Sequence, residues 1–225
     1  TRRLLLVPVL PMSLALLLAF SRSAWLAFAA GAAFLLAVQF ALRRWAALKA
    51  LGWLALAAGL TLAPFAWQAR GLLGVRLNAG GSFASVPAEQ QSLGERALLI
   101  QAGTRLFASH PWTGVGLGAS PLALKNGYPG WDVAYQPPHM VLLDAGLETG
   151  LAGAFFYLLL LLLPWLALLR RRQLLARPHV AGAAALLLAL SVVGFFDHYT
   201  WLLAPGQLWQ WLGWGLAAAA LQPQA

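Results

Sequence analysis

The sequence predicts an all-α, polytopic membrane helix bundle, and three observations carry that prediction. The first is composition. The 225 residues are 61% hydrophobic and 9% charged, with a mean hydropathy of +0.73, against about 45–50% apolar and 25% charged in an ordinary soluble domain. So few charges neither cover a soluble globule nor keep a disordered chain in solution. The second is that the apolar residues fall in six charge-free stretches, each near the length of about 20 residues that crosses a bilayer. The third is that the charges between these stretches are segregated by sign.

The six predicted spans are 4–20, 24–42, 50–67, 151–169, 180–196 and 199–221. The apolar character of the fourth reaches back to about Met140, and Pro205-Gly206 delays the start of the sixth helix. Arg2, Arg3, Arg43, Arg44, Lys49, Arg170, Arg171, Arg172 and Arg177 are nine basic residues that fall on one side if the spans alternate, with no acid among them. The positive-inside rule makes that side cytoplasmic and puts both ends of the chain there. The other side carries six basic residues and all six acids. The net charge of +9 and the pI near 11.3 therefore report topology, and they give no reason to expect nucleic-acid binding. The first residue is Thr1 and no cleavable leader is visible, so the sequence reads as a fragment of a longer chain, folded as one membrane domain over 1–225.

Residues 68–138 form one long outer segment, too long for a bare connector. Within it, 93–109 reads as an amphipathic helix. Ser92 is placed to cap it, with Glu95 completing a capping box. Leu98, Leu99, Ala102 and Leu106 recur near helical spacing, which suits a helix at the outer membrane surface. Arg96 and Arg105 are nine residues apart, about 180° of rotation at 100° per residue, and so face opposite ways. His110-Pro111 ends the helix. The run Gly114-Val115-Gly116-Leu117-Gly118 lacks the Lys-Ser/Thr of a phosphate loop, and the simpler reading is a tight turn against a helix. The chain has no cysteine and four scattered histidines, without metal-ligand spacing. Neither a metal nor a cofactor is expected.

Three stretches together resemble the O-antigen ligase and polymerase family. The first is 96–118, with its arginine, helix, His-Pro and glycine-rich turn. The second begins at His139 and Met140, runs nine residues to Gly150 and two more to Gly153. The third is Ser21-Arg22-Ser23-Ala24, which is similar to a segment that opens an earlier helix in the family. Met140 stands where ligases carry Asn, Ser or Gln, Ile100 where members often carry Trp, and Ser23 where they carry Gly. The resemblance implies a glycosyltransferase of the bacterial inner membrane, working on its outer face in cell-envelope synthesis. It would move a glycan from an undecaprenyl-pyrophosphate carrier to a hydroxyl acceptor: lipid A core, a growing polysaccharide, or a protein side chain. It also implies independence of metal and nucleotide.

The leaving group in such a reaction is a diphosphate, and arginine binds phosphate oxygens through a planar fork that stays charged. Arg96, at the family position, and Arg22, at the membrane interface, are the expected pyrophosphate-binding residues; snorkelling to headgroups is the competing reading of Arg22. His139 is expected at the start of the fourth span, held neutral by the helix dipole, as base or positioner of the acceptor. Asp144 and Glu148 share a face of that span, either supporting the site or forming an ion pair inside the bundle. Asp197-His198-Tyr199 lies at the outer end of the fifth span, placed to line the same cavity, and Trp112 and Trp131 offer sugar-stacking faces in the outer segment. Two alternatives stand beside the ligase: a polymerase with the same chemistry, and a transporter using Asp144 and Glu148 as ion-coupling groups.

Overall fold

A computed structural model describes residues 8–78 and 86–222. Residues 1–7, which include the start of the first predicted span, and 79–85, part of the predicted outer segment, lie outside the described residues. Every regular element among the described residues is helical: α1 (Val9–Leu18), α2 (Arg22–Ala41), α3 (Trp45–Gln68), α4 (Arg70–Arg76), α5 (Pro87–Ser109), α6 (Ser120–Gly127), α7 (Val141–Arg170), a 3-10 turn (Arg172–Ala176), α8 (Pro178–Phe196), α9 (Tyr199–Leu202) and α10 (Ala204–Leu221).

Four of these, α2, α3, α7 and α8, are long and apolar enough to cross a membrane. The two predicted spans at the ends of the chain are not among these four, so the count of six is not reached among the described residues. The described part of α1 has ten residues, about 15 Å at 1.5 Å per residue, which falls short of a hydrocarbon core of about 30 Å. α10 has eighteen residues, but Gln207 and Gln210 interrupt its apolar run, and it is not among the four.

The chain forms two compact units, 1–90 and 91–225. In the first, α1 and α2 both pack on α3. α2 begins at a true cap: the Ser21 side chain accepts from the Ala24 N–H at 3.3 Å. Burial is sparse, with no buried residue in α3 and Trp53 71% exposed. Helices that are apolar all round and unburied by protein are dressed for lipid, which needs no inward-facing stripe.

In the second unit α10 packs along α8. Small residues are buried on both helices: Ala181, Ala184 and Ala185 on α8, and Gly213, Ala217 and Ala220 on α10. A side chain at Gly213 would stand 2.7 Å from Leu190. Such faces let helices approach closely where lipid supplies no hydrophobic drive. α5 uses Leu99 and Ala102 to pack on Leu124 of α6 and on Tyr128, Trp131 and Tyr135. It starts at Pro87, six residues before the sequence reading. Proline is pre-shaped for a first helical position, so Ser92 and Glu95 sit within the helix and the expected capping box does not form.

α7 is two helices in one. Gly150 breaks it with φ +73° and ψ −171°. The segment 151–170 matches the predicted fourth span. Residues 141–149, with Asp144 and Glu148, belong to a separate helical piece, so the expectation that both acids continue the span below His139 is corrected. The glycine turn occupies the break. Val115 N–H donates to the Leu147 carbonyl at 2.8 Å, Gly116 N–H to the Glu148 carbonyl at 3.0 Å, and Leu151 N–H to the Pro111 carbonyl at 2.7 Å. The turn supplies partners that an unbroken helix would have found within itself. Gly114 has φ +65°, and a Cβ there would lie 2.5 Å from the Glu148 backbone; at Gly150 a Cβ would overlap the Trp112 carbonyl.

Candidate functional site

His139 follows Pro137 and Pro138, both fully buried, which fix an extended approach to α7. The helix itself starts at Val141 with Met140 as its N-cap. His139 therefore precedes the first turn, and the expectation that it opens the helix is corrected. Its imidazole is held neutral, from an ordinary 6.5 down to about 4, by burial first, then by the Arg96 guanidinium and His198, with Asp197 opposing. Burial and neighbouring charges account for this neutrality.

His198 lies with its ring centroid 4.6 Å from that of His139. Its pKa is also lowered, by burial chiefly, with Arg96 adding to the effect. Asp197 and the Pro137 carbonyl, which accepts a hydrogen bond from the ring, oppose it. Each histidine keeps a buried Nδ1 with no hydrogen-bond partner. Arg96 is half-buried on α5 and Arg105 is exposed, in keeping with their opposite faces. The second unit thus brings Arg96, His139, Asp197 and His198 together.

His139, Asp197 and His198 each offer a ligand atom within 4.8 Å of the others. They are the group among the described residues that a metal ion would choose. The donor types suit a borderline ion, but Arg96 places a fixed positive charge against both imidazoles and opposes a cation there.

Glu148 is 3% exposed and its carboxylate is fully occupied. It accepts from the Gly118 N–H at 3.0 Å, Ser120 Oγ at 2.7 Å and Trp201 Nε1 at 3.0 Å. It ties the glycine turn and α9 to α7. The ion pair that was its other expected role is not among these contacts. Asp144 is completely buried, and neither of its oxygens has a hydrogen-bond partner.

Arg22 belongs to the first unit, as the first residue of α2. It pairs with Glu89 at 3.2 Å, and Arg76 pairs with the same carboxylate at 2.7 Å. Glu89 is 7% exposed, so two guanidinium groups converge on one largely desolvated acid. Arg70 lies over the Trp67 ring at 4.2 Å. In the predicted outer segment Trp131 stacks on Tyr128 at 4.5 Å, which occupies one of its faces, while Trp112 is 78% exposed.

Sequence reasoning did not single out Glu89, and it gave His198 no more than a place lining the cavity. A histidine next to an aspartate at a span's outer end was the available signal for His198. Nothing local marks Glu89, whose partners lie 67 and 13 residues away.

Apolar helices joined to a long polar segment, with a charged cluster assembled at a helix start, define an integral membrane protein with a built polar site. A family model described as O-antigen ligase matches residues 7–158, about two thirds of the chain. The chain belongs to the O-antigen ligase family, a family of membrane glycosyltransferases. No curated protein and no solved structure matches it. The match ends before Asp197 and His198.

Proposed function

We propose that the protein transfers a glycan from an undecaprenyl-pyrophosphate carrier to a hydroxyl acceptor such as lipid A core, on the outer side of the bacterial inner membrane. The observation that carries this reading is the meeting of Arg96 with a half-buried, neutral His139. Charge for a diphosphate and a proton acceptor for a hydroxyl are the two things such a transfer needs. In the proposed step the acceptor oxygen attacks the anomeric carbon from the face opposite the leaving group. The new carbon–oxygen bond forms as the bond to the pyrophosphate oxygen breaks, with inversion. The electron pair leaves on the diphosphate, which Arg96 stabilises as its charge develops. The hydroxyl proton passes to a ring nitrogen of His139.

No metal takes part in this scheme. Arg22 is the second proposed phosphate ligand, and binding there exchanges the Glu89 carboxylate for a phosphate oxygen. Asp144 and Glu148 are proposed as supports: Glu148 fixes the glycine turn that Gly150 admits, and so holds the start of α7. The nature of the acceptor separates a ligase from a polymerase. The test is release of glycan from its lipid carrier by the protein in reconstituted vesicles, with lipid A core or free polysaccharide as acceptor. Transfer to lipid A core is the expected result. Transfer to polysaccharide alone would reassign the protein as a polymerase, and absence of carrier release with either acceptor would refute the proposal.

A further inference from the structure

Beside Glu148, the second unit encloses a cavity of about 480 Å³ between α7, α9 and α10, within the range of roughly 300–1,000 Å³ usual for small-molecule sites. Gln210 lines it. This side chain is 2% exposed, yet neither its Oε1 nor its Nε2 has a hydrogen-bond partner. Trp214 lines it too, with an unpartnered buried Nε1. Buried amides are almost always satisfied, because leaving them bare costs stability. A donor and an acceptor side by side, with a further donor near, are therefore set for something that enters.

The walls say what kind of molecule that is. Trp201, Trp211, Trp214 and Tyr157 surround the cavity. Tyr157 meets Trp201 edge-on at 5.7 Å and 87°, and Trp211 meets Trp214 at 5.1 Å and 76°. Rings crossed in this way present both faces and edges. The one charged group is Glu148, whose negative charge disfavours an anion such as a diphosphate. A hydrocarbon chain would leave the amide bare. A pyranose meets every demand: it is neutral, its hydroxyls both donate and accept, and its C–H faces pack on aromatic rings.

We propose that this cavity is a sugar-binding subsite in which the Gln210 amide bridges ring hydroxyls and the tryptophans hold the pyranose faces. Its place in the reaction rests on the transferase reading, as the seat of one sugar unit of either the donor glycan or the acceptor. Leu117, Gly118, Glu148 and Tyr157 of its lining lie within the segment matched to the family, whereas Gln210 and the three tryptophans lie beyond it.

The test uses the full chain in amphipol, free of sugar-headed detergent. The probes are methyl β-glucopyranoside, methyl α-rhamnopyranoside and methyl N-acetyl-β-glucosaminide, read by saturation-transfer NMR and tryptophan fluorescence. Saturable binding of at least one probe is expected, weakened about tenfold or more by Gln210→Leu through loss of its hydrogen bonds. The leucine removes bare polar atoms, so the thermal midpoint should hold or rise and the variant should fold. No binding by any probe, or binding indifferent to Gln210→Leu, would overturn the subsite. Binding of rubidium in place of sugar would overturn it and give the cavity to a cation. In the transfer assay, a raised KM for the lipid-linked donor assigns the subsite to the donor, and a raised KM for the acceptor assigns it to the acceptor; a rise for neither overturns its place in the reaction. His139→Ala should keep probe binding while losing transfer. Probe binding by a wild-type protein that transfers nothing would sustain the subsite and refute the transferase.

Discussion

The basicity of His139 should depend on whether the donor is bound. In the free protein the imidazole sits at about 4, and Arg96 is the largest charge holding it down. A diphosphate paired to Arg96 cancels that charge and adds negative charge nearby, so both changes raise the histidine. The sign of the pH effect follows. A base works only when unprotonated, so activity falls as pH drops through its pKa, and a higher pKa moves that fall to higher pH. The profile of kcat/KM reports the free enzyme, and that of kcat the donor complex. The acid limb of kcat/KM should therefore lie near 4, and that of kcat measurably above it, with both flat around pH 7. General bases contribute about 10²–10⁴ in rate, following Brønsted behaviour. A base this weak belongs near the lower end, so His139→Ala should cost about 10² in kcat while insertion and folding persist. His139→Gln keeps a hydrogen bond without a base, and its residual rate separates positioning from proton transfer. Initial rates in vesicles across pH 4–8, with ring-carbon NMR of the histidines, make the measurement. Near-full activity of His139→Ala would refute the base and positioning roles together. An acid limb of kcat lying below that of kcat/KM would refute the coupling through Arg96.

Arg96→Ala should lose about 10²–10³ in transfer rate, as when a preorganised donor to a developing anion is removed; Arg96→Lys should recover little, and Arg105→Ala should matter far less. An essential Arg105 beside a dispensable Arg96 would overturn the assignment of the α5 face. Gly150→Ala should be among the most damaging small substitutions, since the positive φ alone costs about 1–3 kcal/mol and the added carbon meets the Trp112 carbonyl; a wild-type melting profile for this variant would disprove the spliced break. Cysteine placed at Asn126 should react with an impermeant reagent from the outer side, and cysteine placed at Gln173 should not; the reverse pattern inverts the topology. Transfer should survive chelation by EDTA. Loss restored by zinc, and abolished with it by His198→Ala, would assign a metal to His139, Asp197 and His198.

The helical class and the apolar stretches were legible because they follow from composition and length, which are summed over many residues. The face of α5 carrying Arg96 was legible for the same reason, since helical periodicity fixes it. What escaped depends on partners distant in the chain. The break in α7 is invisible in the run 141–170, because it is stabilised by backbone groups of 111–116. The start of α5 at Pro87 was passed over in favour of Ser92, where capping chemistry looked better but a proline upstream had already set the backbone. Gln210 did carry a signal, as an amide in an otherwise apolar helix, and went unused. Glu148 was read as a support of the site or one half of an ion pair, and its geometry makes it a fastener between three backbone elements.

The spliced break in α7 also limits how this scaffold can be diversified. Exchanging loops between relatives is the usual way to change what a surface enzyme accepts, and it assumes that a loop ends where its flanking helices begin. Here the turn at 111–118 and the helix at 147–151 complete each other's hydrogen bonding, so neither is a separable part. A graft cut at 110 and 120 alone would strand carbonyls on the recipient helix and an amide on its neighbour. A chimera that carries both segments from one parent would keep the ladder whole, and in this protein the smallest portable unit is therefore two stretches of chain.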